Sequence, residues 1–143
     1  MRGTRTQGRA FALQLLYQIE INDSPELRAG DMMWQEEPPS GEALDYANLL
    51  VERTGGSREE IDAHLARNLE NWKLERLSMV VRNLLRVAVC EMIVLGEVPF
   101  QVVINEAVEL AHDFADEDSA KFVNSVLEKC WVNAAQVPSQ RPA

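Results

Sequence analysis

The sequence predicts an all-α fold, a compact helical bundle. Two observations carry the helical class. Apolar residues recur at three- and four-residue intervals along nearly every long segment, which is the helical period. No stretch alternates apolar and polar residues long enough to make a useful strand. A third observation supports one compact domain over residues 1–143: a chain of 143 residues with 46% hydrophobic content can bury a sizeable core.

The elements follow in order. Ala12, Leu15, Leu16 and Ile19 mark the inner face of a first helix over about residues 5–21. Residues 22–42 hold Pro25, Gly30, Pro38, Pro39 and Gly41 among many acids. They read as an acidic loop with room for a helical turn near Trp34. A second helix runs from Glu42 to Thr54 with Ala43, Tyr46, Ala47 and Leu50 inward. Gly55 and Gly56 are expected to end it, because glycine adopts the left-handed capping conformation at little cost.

Ser57 to Glu60 reads SREE, a capping-box pattern for a third helix with Ile61, Leu65, Leu69 and Trp72 inward. A fourth helix is predicted from near Glu75, carrying Leu77, Val80, Leu84, Ala88, Met92 and Leu95 and ending at Gly96. Val80 to Leu95 is the most apolar window. It is too short to span a bilayer and is interrupted by Arg82, Asn83, Arg86 and Glu91, so it reads as a buried central helix.

Pro99 opens a fifth helix, whose apolar face is Ile104, Ala107, Val108, Ala111 and Phe114. Asp116, Glu117 and Asp118 sit where a sixth should begin, and their charges favour its N-terminal dipole. Phe122, Val123, Val126, Leu127 and Cys130 form the inner face of that helix. Residues 137–143 read as a disordered tail.

Charge narrows the function. The net charge of −9, with a pI near 4.7, excludes a general polyanion binder. The charge is uneven, however. Arg2, Arg5 and Arg9 precede the first acid, Glu20, leaving 11 of the 14 basic residues against 23 acids in the rest of the chain. A short basic arm on an acidic body suits a local nucleic-acid contact. Cys90 and Cys130 fall on apolar helical faces and read as reduced core thiols of a cytosolic protein. No secretory signal pattern is visible.

No phosphate-binding loop, nucleophile elbow or Cys–His pair is found, so no enzymatic activity and no cofactor are expected. Glu109 and His112 have the spacing of half a dimetal carboxylate site. His64, the other histidine, has no glutamate three residues before it, and a solvated helix face is the expectation.

Pro99 to Lys129 is the most specific segment. Packing explains its helical hairpin. It does not explain Asn105 and Glu106 at the front of one helix, or Asp118, Lys121, Phe122 and Asn124 at the front of the next. VVINEAVELA (Val102 to Ala111) followed by EDSAKFVNSVLEK (Glu117 to Lys129) resembles the signature of the NusB family of transcription antitermination factors. ALQLLYQ (Ala12 to Gln18), NWKLERLS (Asn71 to Ser78) and VVRNLLRVAVCEM (Val80 to Met92) resemble the family's earlier segments in the same order. The resemblance covers nearly the whole chain apart from about residues 21–42 and the last ten or so.

The resemblance implies a fold of about six to seven helices in two small subdomains. It implies a non-enzymatic cytoplasmic adaptor that binds a single-stranded boxA-like element of nascent ribosomal RNA together with NusE, a ribosomal small-subunit protein. The pair would hold the transcript in the RNA polymerase antitermination complex. Arg2, Arg5 and Arg9 would then form an RNA-binding arm, whereas composition alone gives only a solvated, frayed terminus. Guanidinium suits phosphate because it donates paired, coplanar hydrogen bonds. Thr6, Gln7 and Gly8 interrupt a run that is often more basic in the family, which predicts weaker intrinsic RNA affinity.

Asp118, Lys121 and Phe122 would lie near the RNA, with Phe122 a stacking platform or a core residue. Asn124 would bind RNA or bond between helices, and Asn105 and Glu106 read mainly as helix-end hydrogen bonders, with a binding role as the alternative. Tyr17 and Glu75 match positions of the NusE-binding surface. Val81 stands where the family commonly has an acid, so that Val81→Asp would be expected to strengthen that contact. A homodimer that masks the RNA face is compatible with the family, and no membrane association is expected. Two other readings remain open at this level. One is the RNA-binding domain type fused to ribosomal RNA cytosine methyltransferases, and the other is a protein-only interaction module.

Overall fold

The computed structural model describes residues 3–28 and 40–134. Arg2, the turn expected near Trp34 and the tail at 137–143 lie outside the described residues. Among the described residues there are six α-helices and no strand: α1 Thr4–Asn22, α2 Gly41–Gly56, α3 Arg58–Asn68, α4 Met79–Val89, α5 Phe100–Phe114 and α6 Glu117–Ala134. A 3₁₀ turn, Leu74–Arg76, precedes α4, and a wider π turn, Cys90–Leu95, continues it.

Two hydrophobic clusters organise these helices, and α1 and α4 contribute to both. Ala12 and Leu15 of α1, Ala47 and Leu50 of α2 and Val87 of α4 form the smaller one. The larger takes Ala10 and Leu13 of α1, then Ile61 and Leu65 of α3 and Leu84, Leu85, Ala88 and Val89 of α4. It is completed by the inner faces of α5 and α6. α1 packs chiefly along α2, and α5 along α6. The two subdomains therefore share a wall, with the apolar window of α4 between them. Its burial explains why that window is hydrophobic nearly all round.

Local chemistry sets several boundaries. Ser40 and Ser78 cap α2 and α4, their hydroxyls accepting from Ala43 and Val81 backbone N–H at 3.2 Å each. The Asp116 carboxylate accepts from Ser119 N–H at 2.7 Å and so caps α6, which holds its pKa below the usual carboxylate value. Gly96, at φ 66°, closes the π turn with a bond from its N–H to Glu91 O at 3.1 Å. This is the stop the sequence indicated.

Four expectations need correction. Gly55 and Gly56 lie inside α2, and neither has positive φ. The turn is made instead at Ser57, at φ −118°, whose N–H bonds Arg53 O while its carbonyl already accepts from Ile61. The Ser57 side chain makes no capping bond, so SREE is not a capping box here. Trp72 is 57% exposed, because α3 ends at Asn68 and Leu69 turns extended, which breaks the helical register before Trp72. The fourth helix starts at Met79, since Leu77 is extended and separates it from the 3₁₀ turn that holds Glu75.

A candidate RNA interface and the node that anchors it

The basic arm is part of α1, and its two described arginines have opposite fates. Arg5 is exposed, with its guanidinium carbon 5.3 Å from the centroid of the Tyr46 ring on α2. Arg9 lies one turn later on the same face and is 4% exposed. Its Nε donates to Glu91 Oε1 at 2.8 Å, its Nη2 to Glu91 Oε2 at 2.8 Å, and its Nη1 to Glu106 Oε1 at 2.7 Å. The i, i+4 pairing of Arg5 and Arg9 is real, but that face turns inward at Arg9. This corrects the expectation that Arg9 contacts phosphate. Its hydrogen-bonding fork is occupied by two carboxylates.

Tyr46 and Thr6 complete the node. The Tyr46 hydroxyl donates to Glu91 Oε2, and the Thr6 hydroxyl donates to Glu106 Oε1. Burial and the bonded, charged Glu91 both push the Tyr46 phenol well above its ordinary pKa. Burial alone would lower the pKa of Arg9. The hydrogen bond and charge of Glu91, then Tyr46 and Glu106, outweigh it and hold the guanidinium charged.

The residues that interrupt the arginine run thus have structural work. Thr6 is a donor to α5. A Cβ on Gly8 would lie 3.0 Å from two Tyr46 side-chain atoms and 3.1 Å from the Ala43 carbonyl oxygen, so glycine suits the close approach of α1 to α2, and a larger residue would press on Tyr46.

At the front of α6, Asp118 and Lys121 are exposed. Phe122 is half-buried and packs against the larger core, while the adjacent Val123 is fully buried. Asn105 is exposed and Asn124 half-buried. Glu106 does more than bond at a helix end, because it ties α5 to α1. The N-terminal and C-terminal motifs therefore meet at Arg9 and Glu106.

The residues expected at a partner surface also separate. Tyr17, 45% exposed, lines an apolar groove of about 280 Å³ with Leu13, Met79, Val80 and Phe114. Glu75 lines an adjoining cleft of about 570 Å³ with Leu16, Ile19, Glu20, Arg82 and Arg86, and Asn83 borders both. Val81 is 6% exposed and belongs to the larger core. It offers nothing to a partner, and an aspartate there would enter the core rather than restore a surface contact.

Arg82 bonds Glu20 at 2.7 Å, and Arg86 bonds Asp62 at 2.8 Å, both along the wall of the larger cleft. Glu109 and His112 are exposed on α5, and no group of three His, Cys, Asp or Glu side chains suited to a metal occurs among the described residues. None of the described helices is long and apolar enough to cross a membrane.

The profile of the NusB family matches residues 6–131, from the arm to the last turns of α6. The chain belongs to the NusB family. Among its relatives is the transcription antitermination protein NusB of Bacillus mycoides, 43% identical over 123 residues, which cover 86% of this chain and 93% of the relative. NusB of Myxococcus xanthus is 38% identical over 134 residues, 91% of this chain and 96% of that protein.

Solved structures agree in fold. NusB of T. maritima superposes with a TM-score of 0.80 at 30% identity, covering 92% of this chain and 93% of that one. A chain from a complex of antitermination factors NusB and NusE with double-stranded RNA gives a TM-score of 0.75 at 28% identity, covering 93% and 99%.

The missed residues had one visible signal. Arg86 and Glu91 sit in the most apolar window of the chain, and a charge there requires a partner. Nothing in the sequence says which partner. Tyr46 and Gly8 gave no signal beyond an inward position and an interruption of the arm.

Proposed function

We propose that this protein is a non-enzymatic transcription antitermination factor of the cytoplasm, acting as one domain over residues 1–143. It binds a single-stranded boxA-like segment of nascent ribosomal RNA together with NusE and so joins the RNA polymerase antitermination complex. Family membership supplies the class of function. The observation that carries the RNA role is the exposed Arg5 at the start of α1, on a helix clamped to α2 and α5. Arg2 extends the same arm in sequence, and Asp118, Lys121 and Phe122 supply the second part of the surface.

The mechanism is assembly. Two weak surfaces, one for RNA and one for protein, gain affinity by being joined. The acidic body repels RNA, and a basic ribosomal protein docked along Tyr17 and Glu75 would offset that repulsion. RNA and NusE should therefore each strengthen binding of the other, by about 1–3 kcal/mol.

With Arg9 withdrawn, Arg2 and Arg5 are the arm's phosphate contacts. They should contribute about −1.4 to the log–log salt slope on single-stranded RNA, at about −0.7 per phosphate. Titration of boxA-like RNA with and without saturating NusE tests the reading. Tighter RNA binding with NusE is expected, and equal affinities would refute the adaptor mechanism.

A further inference from the structure

Arg9 is spent on an internal contact near the start of a helix that lacks a side-chain N-cap. The N-cap of α1 is Gly3, which makes no side-chain bond, and its first turn holds no acid to complement the dipole. A helix end of this kind frays unless tertiary contacts hold it. Among the contacts that hold it are those of Thr6 and Arg9, three residues apart, both donating to the same Glu106 oxygen on α5. Glu91 grips the other edge of the Arg9 guanidinium and is itself 1% exposed, in the π turn that follows α4. The node thus joins α1, α2, α5 and the π turn around one cation and two carboxylates.

We propose that this node is a positioning device for the RNA-binding arm: Thr6 and Arg9, through Glu106 and Glu91, fix the first turns of α1 so that Arg5 is presented in one orientation to RNA phosphate. Arg9 touches no phosphate itself. The inference rests on the RNA-binding reading above and assigns its residues a division of labour. An arginine on a frayed terminus must be ordered when RNA binds, and that ordering weakens binding. An arginine on a fixed helix, stacked on Tyr46, has been ordered by folding. The node also explains why the arm carries fewer basic residues than its position suggests. Threonine and glycine at positions 6 and 8 serve the clamp and the close α1–α2 approach.

The test measures what Arg5 is worth with and without the clamp. Thr6→Val and Arg9→Lys break it without changing net charge. Thr6→Val is half-exposed and nearly isosteric, so it guards against failure of Arg9→Lys to fold. Each is combined with Arg5→Ala and titrated with a labelled single-stranded boxA-like RNA in the presence of NusE.

In the otherwise unaltered protein, Arg5→Ala should weaken binding about tenfold, as for loss of one charged hydrogen-bonding group. In either clamp variant the same change should cost about threefold or less, because neighbouring sites that act as a unit are not additive. Amide hydrogen exchange should rise in residues 7–10 of the clamp variants, whose N–H groups make the first backbone bonds of α1, and stay unchanged in α3 to α6. An Arg5→Ala cost that is the same in all backgrounds, or an arm equally protected in the variants, would overturn the positioning role while leaving RNA binding intact. No RNA binding by the unaltered protein, with or without NusE, would overturn the underlying reading and this inference with it.

Discussion

Two ion-pair sites stand at opposite ends of α1, and they differ chiefly in their access to water. Near its start, the Arg9 and Glu91 side chains are 5% and 1% exposed, and their hydrogen-bonding groups face each other. Near its end, Arg82 bonds Glu20 at a comparable distance, but these side chains are 17% and 31% exposed and line an open cleft; Arg86, bonded to Asp62 in the same cleft, is itself buried. A buried pair is costly to desolvate, and it tolerates loss of neither partner. An open pair is screened, contributes little to stability and remains available to a partner. The same chemistry therefore holds helices together at one end and stays open to solvent at the other.

Glu91→Ala should have the largest effect. It leaves Arg9 buried with half its partners gone, which costs about 3–5 kcal/mol. Thermal or urea unfolding should show a large loss, and a near-wild-type midpoint would mean that water enters the node and the contrast fails. Val81→Asp comes next, because it puts a carboxylate into the core beneath the open end. An uncompensated buried charge should destabilise by about 3 kcal/mol. An unchanged unfolding midpoint, with tighter NusE binding, would place Val81 at the surface.

A smaller effect, confined to alkaline solution, comes from Tyr46. Its phenol pKa is raised in the folded protein by burial and by Glu91. The stabilisation is complete below the ordinary phenol value of about 10 and is lost as pH rises through the higher folded value. Wild-type melting temperature should therefore fall more steeply above that pH than that of Tyr46→Phe. Parallel curves for the two proteins would remove Tyr46 from the buried node.

Glu20→Gln is expected to do least to the fold, about 0.2–1 kcal/mol, because the pair with Arg82 is partly solvated. Its effect should appear instead as weaker binding of a basic partner. A large stability loss with partner binding unchanged would erase the distinction between the two ends.

The contrast also shows where sequence reading stops. The spacing of Ala107, Ala111, Val123 and Val126 identified buried faces, because the helical period depends only on local geometry. Pro99, Gly96 and Asp116 marked boundaries for the same reason: each acts on its own backbone. Trp72 was misplaced because extrapolated periodicity cannot see where a helix ends, and Val81, placed at a surface by family resemblance alone, is buried by the way α4 packs. Arg5 and Arg9 look alike in sequence, both charged, on one face and one turn apart. Only the approach of α2, α5 and the π turn makes one a surface cation and the other a core residue.

The sequence by itself determined the helical class, most of the core faces and the family. Tertiary structure decided which charges remain available. Glu91 and Glu106 lie 82 and 97 residues from Arg9 along the chain, and no local pattern encodes that meeting. Burial depends on what packs against a residue, and the free energy of a charge depends on burial, so the roles of the arginines were set only when the helices came together.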